Sequence, residues 1–224
     1  MSKDSIAILF FSRTFEDEFK AKNLGLSKEK FKSYYYYQVN RTISLAHQSG
    51  LAVFEHYSNE QKGNSFGERL SHALLSIKRQ RFEQVIVIGN DTPLLTLNHL
   101  ERAMMHLTHG RSVLGKDQHR GSWIIGFDLQ NALILKIKSI NWHKGHVYDE
   151  LQQILPNVIS LSDLLDLNHS TDLRLLLNSN DLMRSIKRFL ASLKSQLKNF
   201  DEVREFEPYH FLVSHLHRGP PERL

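Results

Sequence analysis

The sequence predicts an α/β sandwich built on a largely parallel sheet. Two observations carry that expectation. Val85-Ile86-Val87-Ile88-Gly89 is a run of four β-branched aliphatics closed by a glycine. An apolar run without alternation suits a parallel strand covered on both faces. Strand-like segments also alternate with segments of helical spacing along most of the chain, as successive βαβ units require.

The elements follow in order. Residues 5–11 read as the first strand, and residues 12–23 as a polar, charged loop or helix start. Ser27 suits an N-cap for a helix over 28–46, which carries the tyrosines from Tyr34 to Tyr37. Gly50 ends it, and 51–56 form the second strand. After a loop over 59–65, Phe66, Leu70, Ala73, Leu74 and Ile77 recur at helical spacing over 66–78. Residues 85–89 are the third strand, and Thr96 or Asn98 caps a helix through about Leu107. Short strands follow at 112–115 and 122–127. Residues 132–137 form a strand or helix, 146–155 a helix and 157–161 a last strand. Right-handed crossovers gather strand ends along one edge. The loops after Phe11, Ile88 and Leu114 are therefore expected to face one cleft.

Beyond residue 178 the character changes. Leu182, Met183, Ile186, Phe189, Leu190, Leu193 and Leu197 make an apolar stripe with Lys187, Arg188, Lys194 and Lys198 between them. The reading is one domain over 1–178 and an amphipathic extension over 179–224. That extension is expected to pack on the domain or on a second subunit, as in a homodimer.

Composition narrows the function classes. The 224 residues are 41% hydrophobic and 24% charged, ordinary for a globular protein. No apolar run approaches the roughly 18–20 residues of a membrane helix. The short apolar run near the N-terminus starts where a strand starts and lacks a small-residue cleavage site, so no signal peptide is expected. The absence of cysteine excludes disulfides and thiolate metal sites and fits a cytoplasmic protein. A net charge of +5 is dispersed among acids, which reads as a basic solvated surface rather than a nucleic-acid footprint. Walker, dinucleotide-glycine, nucleophile-elbow and His-Glu-x-x-His motifs are all missing.

Asp91 stands out. It follows the third strand at once, where ligands of open α/β sheets sit. A carboxylate there can hold a divalent cation against a phosphate-bearing substrate. It also suits a turn cap before Thr92-Pro93. Trp142, His143 and His146 form a cluster whose chance occurrence is expected among 13 histidines, so zinc is not the reading.

Phe11-Ser12-Arg13-Thr14, Gly67-Glu68-Arg69-Leu70, Ile88-Gly89-Asn90-Asp91-Thr92-Pro93, Gly115 and Ile125-Gly126-Phe127, in this order, resemble a bacterial glycosyltransferase-like family. It falls in the nucleotide-diphospho-sugar transferase superfamily and is similar to the molybdenum-cofactor and phospholactate guanylyltransferases. The resemblance covers roughly residues 5–175. It implies a three-layer α/β/α sandwich of the Rossmann-like GT-A type. It also implies Mg2+- or Mn2+-dependent transfer from a nucleoside triphosphate or nucleotide sugar to an acceptor it does not specify. Asp91 matches the family's glycine-x-aspartate-x-proline aspartate, the implied catalytic residue and metal ligand, with Asn168 or Asp117 assisting. Arg13, Lys20, Lys22, Arg69 and Arg120 are the implied nucleotide- and phosphate-binding residues.

Two departures accompany the resemblance. Phe15-Glu16-Asp17-Glu18 replaces a proline- and glycine-containing loop, and its acids repel a triphosphate unless they face solvent or a cation. His119-Arg120-Gly121 stands where relatives tend to carry Asp-Gly-Gly. A non-catalytic nucleotide- or phosphate-binding module is therefore the second reading, and a scaffold held by the C-terminal helix the third.

Overall fold

The computed structural model describes residues 5–142 and 145–178. The elements run β1 (Ile6–Ser12), α1 (Phe15–Ala21), α2 (Lys28–Gln48), β2 (Ala52–Tyr57), α3 (Phe66–Arg79), β3 (Gln84–Ile88), α4 (Leu97–Thr108), β4 (Val113–Asp117), β5 (Ser122–Asp128), α5 (Asn131–Lys138), α6 (Val147–Ile154), β6 (Ile159–Leu164) and α7 (Ser170–Asn178). Local chemistry accounts for the main boundaries. The Ser27 hydroxyl accepts from the Lys30 amide at 3.4 Å, and Ser65 does the same for Glu68 at 3.2 Å. Gly50 closes α2 with a φ of 70°, a left-handed conformation that glycine adopts without a Cβ clash.

The six strands lie in the order β2-β1-β3-β5-β4-β6. β1 pairs in parallel with β2 and β3, and β4 with β6. Only β5 is reversed, antiparallel to both β3 and β4. The five other strands thus end on one edge, and β5 begins there. β1 shows why the apolar runs do not alternate. Ile6, Ile8 and Phe10 pack on one side with Phe31 and Val39 of α2, Leu100 of α4 and Leu173 of α7. Ala7, Leu9 and Phe11 pack on the other with Leu70 and Ile77 of α3, Ile134 of α5 and Leu151 of α6. The result is an α/β/α sandwich.

The structure decides between open alternatives and corrects one expectation. Of the two forms expected for residues 132–137 the helix is the one found, within α5, and in the segment read as a loop or helix start α1 forms. The sheet edge differs. The β4–β5 hairpin inserts β5 between β3 and β4, so Ser122 and Trp123, rather than the loop after Leu114, border the hollow at the end of β3. The expected helix over 182–198 and the partner contact assigned to it lie outside the described residues.

Gly67 marks where α3 meets α5. A Cβ there would sit 2.3 Å from the Lys138 carbonyl oxygen, so the two helices must separate to admit a methyl. Gly67→Ala is expected to lower stability by about 1–3 kcal/mol, read as a lower urea midpoint at constant m-value.

Candidate functional site

In order 2-1-3 the chain leaves β1 toward β2 and then crosses back to β3 on the opposite flank. The crevice between the ends of β1 and β3 is therefore a topological switch point, where open α/β sheets bind ligands. A hollow of about 90 Å³ opens there, with Phe11, Arg13, Glu18, Asn90, Asp91 and Trp123 among its walls. Gln61 lies between it and a neighbouring cavity of about 380 Å³ that contains Arg69. Gln61 is held by its Nε2, which donates to the carbonyls of Ser12 and His56 at 3.0 and 3.1 Å.

Asp91 lies at the tip of β3 with 22% of its side chain exposed. Its main-chain carbonyl accepts from Leu167 at 2.8 Å, which ties the tip of β3 to the segment before α7. Its Oδ2 faces Lys22 Nζ at 3.6 Å. Below the hollow, Glu18 binds Arg13 Nη1 through Oε2 at 2.9 Å and Lys22 Nζ through Oε1 at 2.7 Å. Burial alone would raise the Glu18 carboxyl, but Lys22 and Arg13 bring it below its ordinary value. The acids of the first loop thus divide. Glu16 is exposed, Asp17 accepts from Ser58 Oγ at 2.5 Å, and Glu18 faces two cations.

The other candidates occupy different places. Lys20 is exposed on α1. Arg69 is buried, with Nη1 donating to the carbonyls of Gly63 and Asn64 at 3.4 and 3.3 Å. Arg120 adopts a φ of 62° in the β4–β5 turn and pairs with Asp149. Asp117 Oδ1 accepts from the amides of His119 and Gly121 at 2.7 and 2.9 Å, which clamps that turn. Asn168 is buried beside Leu167, and its backbone N–H donates to Asp172 Oδ2 at 3.0 Å. The structure thus brings Arg13, Lys22 and Asp91 together. Lys22 reaches that group from behind the wall, through Glu18 and Asp91, and Lys20, Arg69, Arg120, Asp117 and Asn168 lie outside the walls of the smaller hollow. His143 falls outside the described residues.

Three residues at or near the site were not among the sequence candidates. Trp123 walls the hollow because Gly115 leaves it room, since a Cβ on Gly115 would lie 2.2 Å from the indole. Tyr34 is buried, and its hydroxyl has no hydrogen-bond partner among the described residues. Asp166 is fully buried and accepts from Thr92 Oγ1 at 2.5 Å. Burial and then the Asp91 charge raise its carboxyl well above the ordinary 3.8, although Thr92 and Lys22 pull the other way.

A carboxyl raised in the folded state binds its proton more tightly there than in the unfolded chain. Asp166 therefore favours folding at low pH and loses that contribution as pH rises above its unfolded value. Asp166→Asn is expected to narrow the fall in melting temperature between about pH 5 and pH 8.

Similarity to known proteins can now be placed on this geometry. Residues 36–144 match a family described as "uncharacterized protein conserved in bacteria (DUF2064)", a stretch that includes β3 and Asp91. No protein of curated function matches the chain. A solved "putative nucleotide-diphospho-sugar transferase" from Desulfovibrio desulfuricans G20 shares 20% identity over 89% of this chain and 99% of its own, at a TM-score of 0.72. A homolog of Mycobacterium tuberculosis Rv0371c from Mycobacterium sp. strain JC1 shares 12% identity over 85% of this chain and 97% of its own, at a TM-score of 0.45. The fold is that of the nucleotide-diphospho-sugar transferases, the Rossmann-like GT-A sandwich. Among the described residues, no helix is long and apolar enough to cross a membrane.

Proposed function

We propose that the chain is a transferase that binds a nucleoside triphosphate or nucleotide sugar by its phosphates at the β1–β3 crevice. One observation supports this above the others: Asp91 sits at the switch point, partly exposed, on the wall of a hollow. Phe11 and Trp123 add apolar walls, and the wider cavity at Arg69 has room for a ring.

The donor set suits a magnesium or manganese ion of one kind only. Among the described residues no three His, Cys, Asp or Glu side chains form a cage. Mg2+ commonly binds through one or two carboxylates plus substrate phosphates and water, and Asp91 supplies one carboxylate. Such an ion would neutralise charge on a departing phosphate. The chain's own part is positional. Asp91 fixes the phosphates relative to β3, while Phe11 and Trp123 limit water.

The test is a thermal-shift panel of nucleotides and nucleotide sugars with and without Mn2+. Stabilisation by one ligand that requires the metal supports the reading, and stabilisation indifferent to metal refutes its metal dependence. The second reading, a non-catalytic binding module, is favoured by the Glu18 pairs that already neutralise Arg13 and Lys22. Binding without turnover of the bound ligand, across a panel of acceptors, would select it.

A further inference from the structure

Arg13, Lys22, Glu18 and Asp91 form a chain of ion pairs at the hollow. Their formal charges cancel, so the site as folded offers an incoming anion no surplus positive charge. The first three are at most 7% exposed. The two oxygens of Glu18 are divided between the two cations, one at 2.9 Å and one at 2.7 Å. That is how two cations hold a phosphate group. Glu18 and Arg13 also form part of the wall of the hollow, with Lys22 bound to Glu18 just behind it, so the Arg13–Glu18 pair borders on space a ligand can enter. The hollow itself, at about 90 Å³, has the size of a small anionic group rather than of a nucleotide.

The geometry points to Glu18 as an internal stand-in for the ligand: its carboxylate fills a phosphate subsite built by Arg13 and Lys22, and a phosphate-bearing ligand takes that subsite by displacing it. This deepens the reading of the crevice as a phosphate-ligand site and rests on it. The exchange has a direction. Glu18 contributes a single negative charge, whereas a diphosphate brings at least two. The competitor is therefore displaced by polyanionic ligands and holds off singly charged ones, which makes Glu18 a specificity residue. Displacement also carries a cost, because apparent affinity falls by the fraction of molecules in which the subsite is free. α1 delivers Glu18 and is only seven residues long. Its packing rests on Phe15 and Phe19 against Phe31 of α2, so expelling Glu18 is expected to loosen this one short helix.

The experiment titrates the full chain and Glu18→Gln with inorganic pyrophosphate and with orthophosphate, without divalent metal, by calorimetry and thermal shift. Glutamine keeps the shape and removes the competing charge. The variant is expected to bind pyrophosphate at least about tenfold more tightly and to gain more in melting temperature from it than the parent does. Equal or weaker binding by Glu18→Gln overturns the proposal. Should the variant not fold, hydrogen exchange on the parent decides. Saturating pyrophosphate is expected to reduce protection over α1, and unchanged or increased protection overturns the proposal. Neither readout uses a nucleoside. Tighter pyrophosphate binding by Glu18→Gln with no response to any nucleotide rejects the transferase and keeps the subsite. Nucleotide binding by the parent with no gain in the variant rejects the stand-in alone.

Discussion

Asp91→Ala abolishes the metal-dependent stabilisation by nucleotide or nucleotide sugar, while the fold survives. That is the expected result with the largest effect on function. Among the described residues, Asp91 is the only carboxylate on the wall of the hollow besides Glu18, and Glu18 is already bound to two cations. Removing it takes away the group that fixes a cation against phosphate. A ligand present at a hundred times its dissociation constant stabilises a protein by about 2.7 kcal/mol, so the loss is readable as a vanished melting shift. The apo protein should be less affected, because Asp91 is partly exposed and its ammonium neighbour, 3.6 Å away, remains bound to Glu18. A ligand shift that persists in Asp91→Ala removes this residue from the site.

The second large effect falls on stability. Arg13→Met leaves Glu18 with Lys22 alone in a buried setting. Breaking a buried pair from one side typically costs about 3–5 kcal/mol, because the desolvated partner remains charged. Replacing both partners is far milder, so Arg13→Met combined with Glu18→Gln is expected to recover much of the loss. The double-mutant cycle is read from urea unfolding. Its pH dependence has a definite sign. The folded-state Glu18 carboxyl lies below its ordinary 4.5, so its contribution is present above that value and is lost as pH falls through the lowered one. Arg13→Met takes away one cause of the lowering. The acid limb of its stability curve should therefore move to higher pH. Additive effects of the two substitutions would show that Arg13 and Glu18 are not coupled.

How much of this could be read beforehand follows from the range of each interaction. β1 and β3 were legible because burial on both faces leaves an uninterrupted apolar run, visible within a few residues. The start of α2 was legible because Ser27 acts on an amide three residues away, and α3 because its apolar residues recur at helical spacing. The tip of β3 was legible because Asp91 follows its strand directly. The Arg13–Glu18–Lys22 cluster was only half legible. Spacing within α1 brings Glu18 beside Lys22, but the turn before α1 decides that Arg13 also reaches it. The partners of Arg69, Arg120 and Asp117 were not legible. Their residue types suit phosphate or metal, yet here they bind loop carbonyls, a neighbouring carboxylate and turn amides.

The amino-acid order alone determined an α/β chain with a carboxylate at the end of a buried strand, since apolar periodicity and capping are local properties. Tertiary structure decided that β5 enters the sheet reversed between β3 and β4, so that Trp123 walls the hollow. It also decided that the two cations meet a buried glutamate. Both outcomes depend on which distant groups share desolvated space, where pairing and packing outweigh the preferences of any single segment.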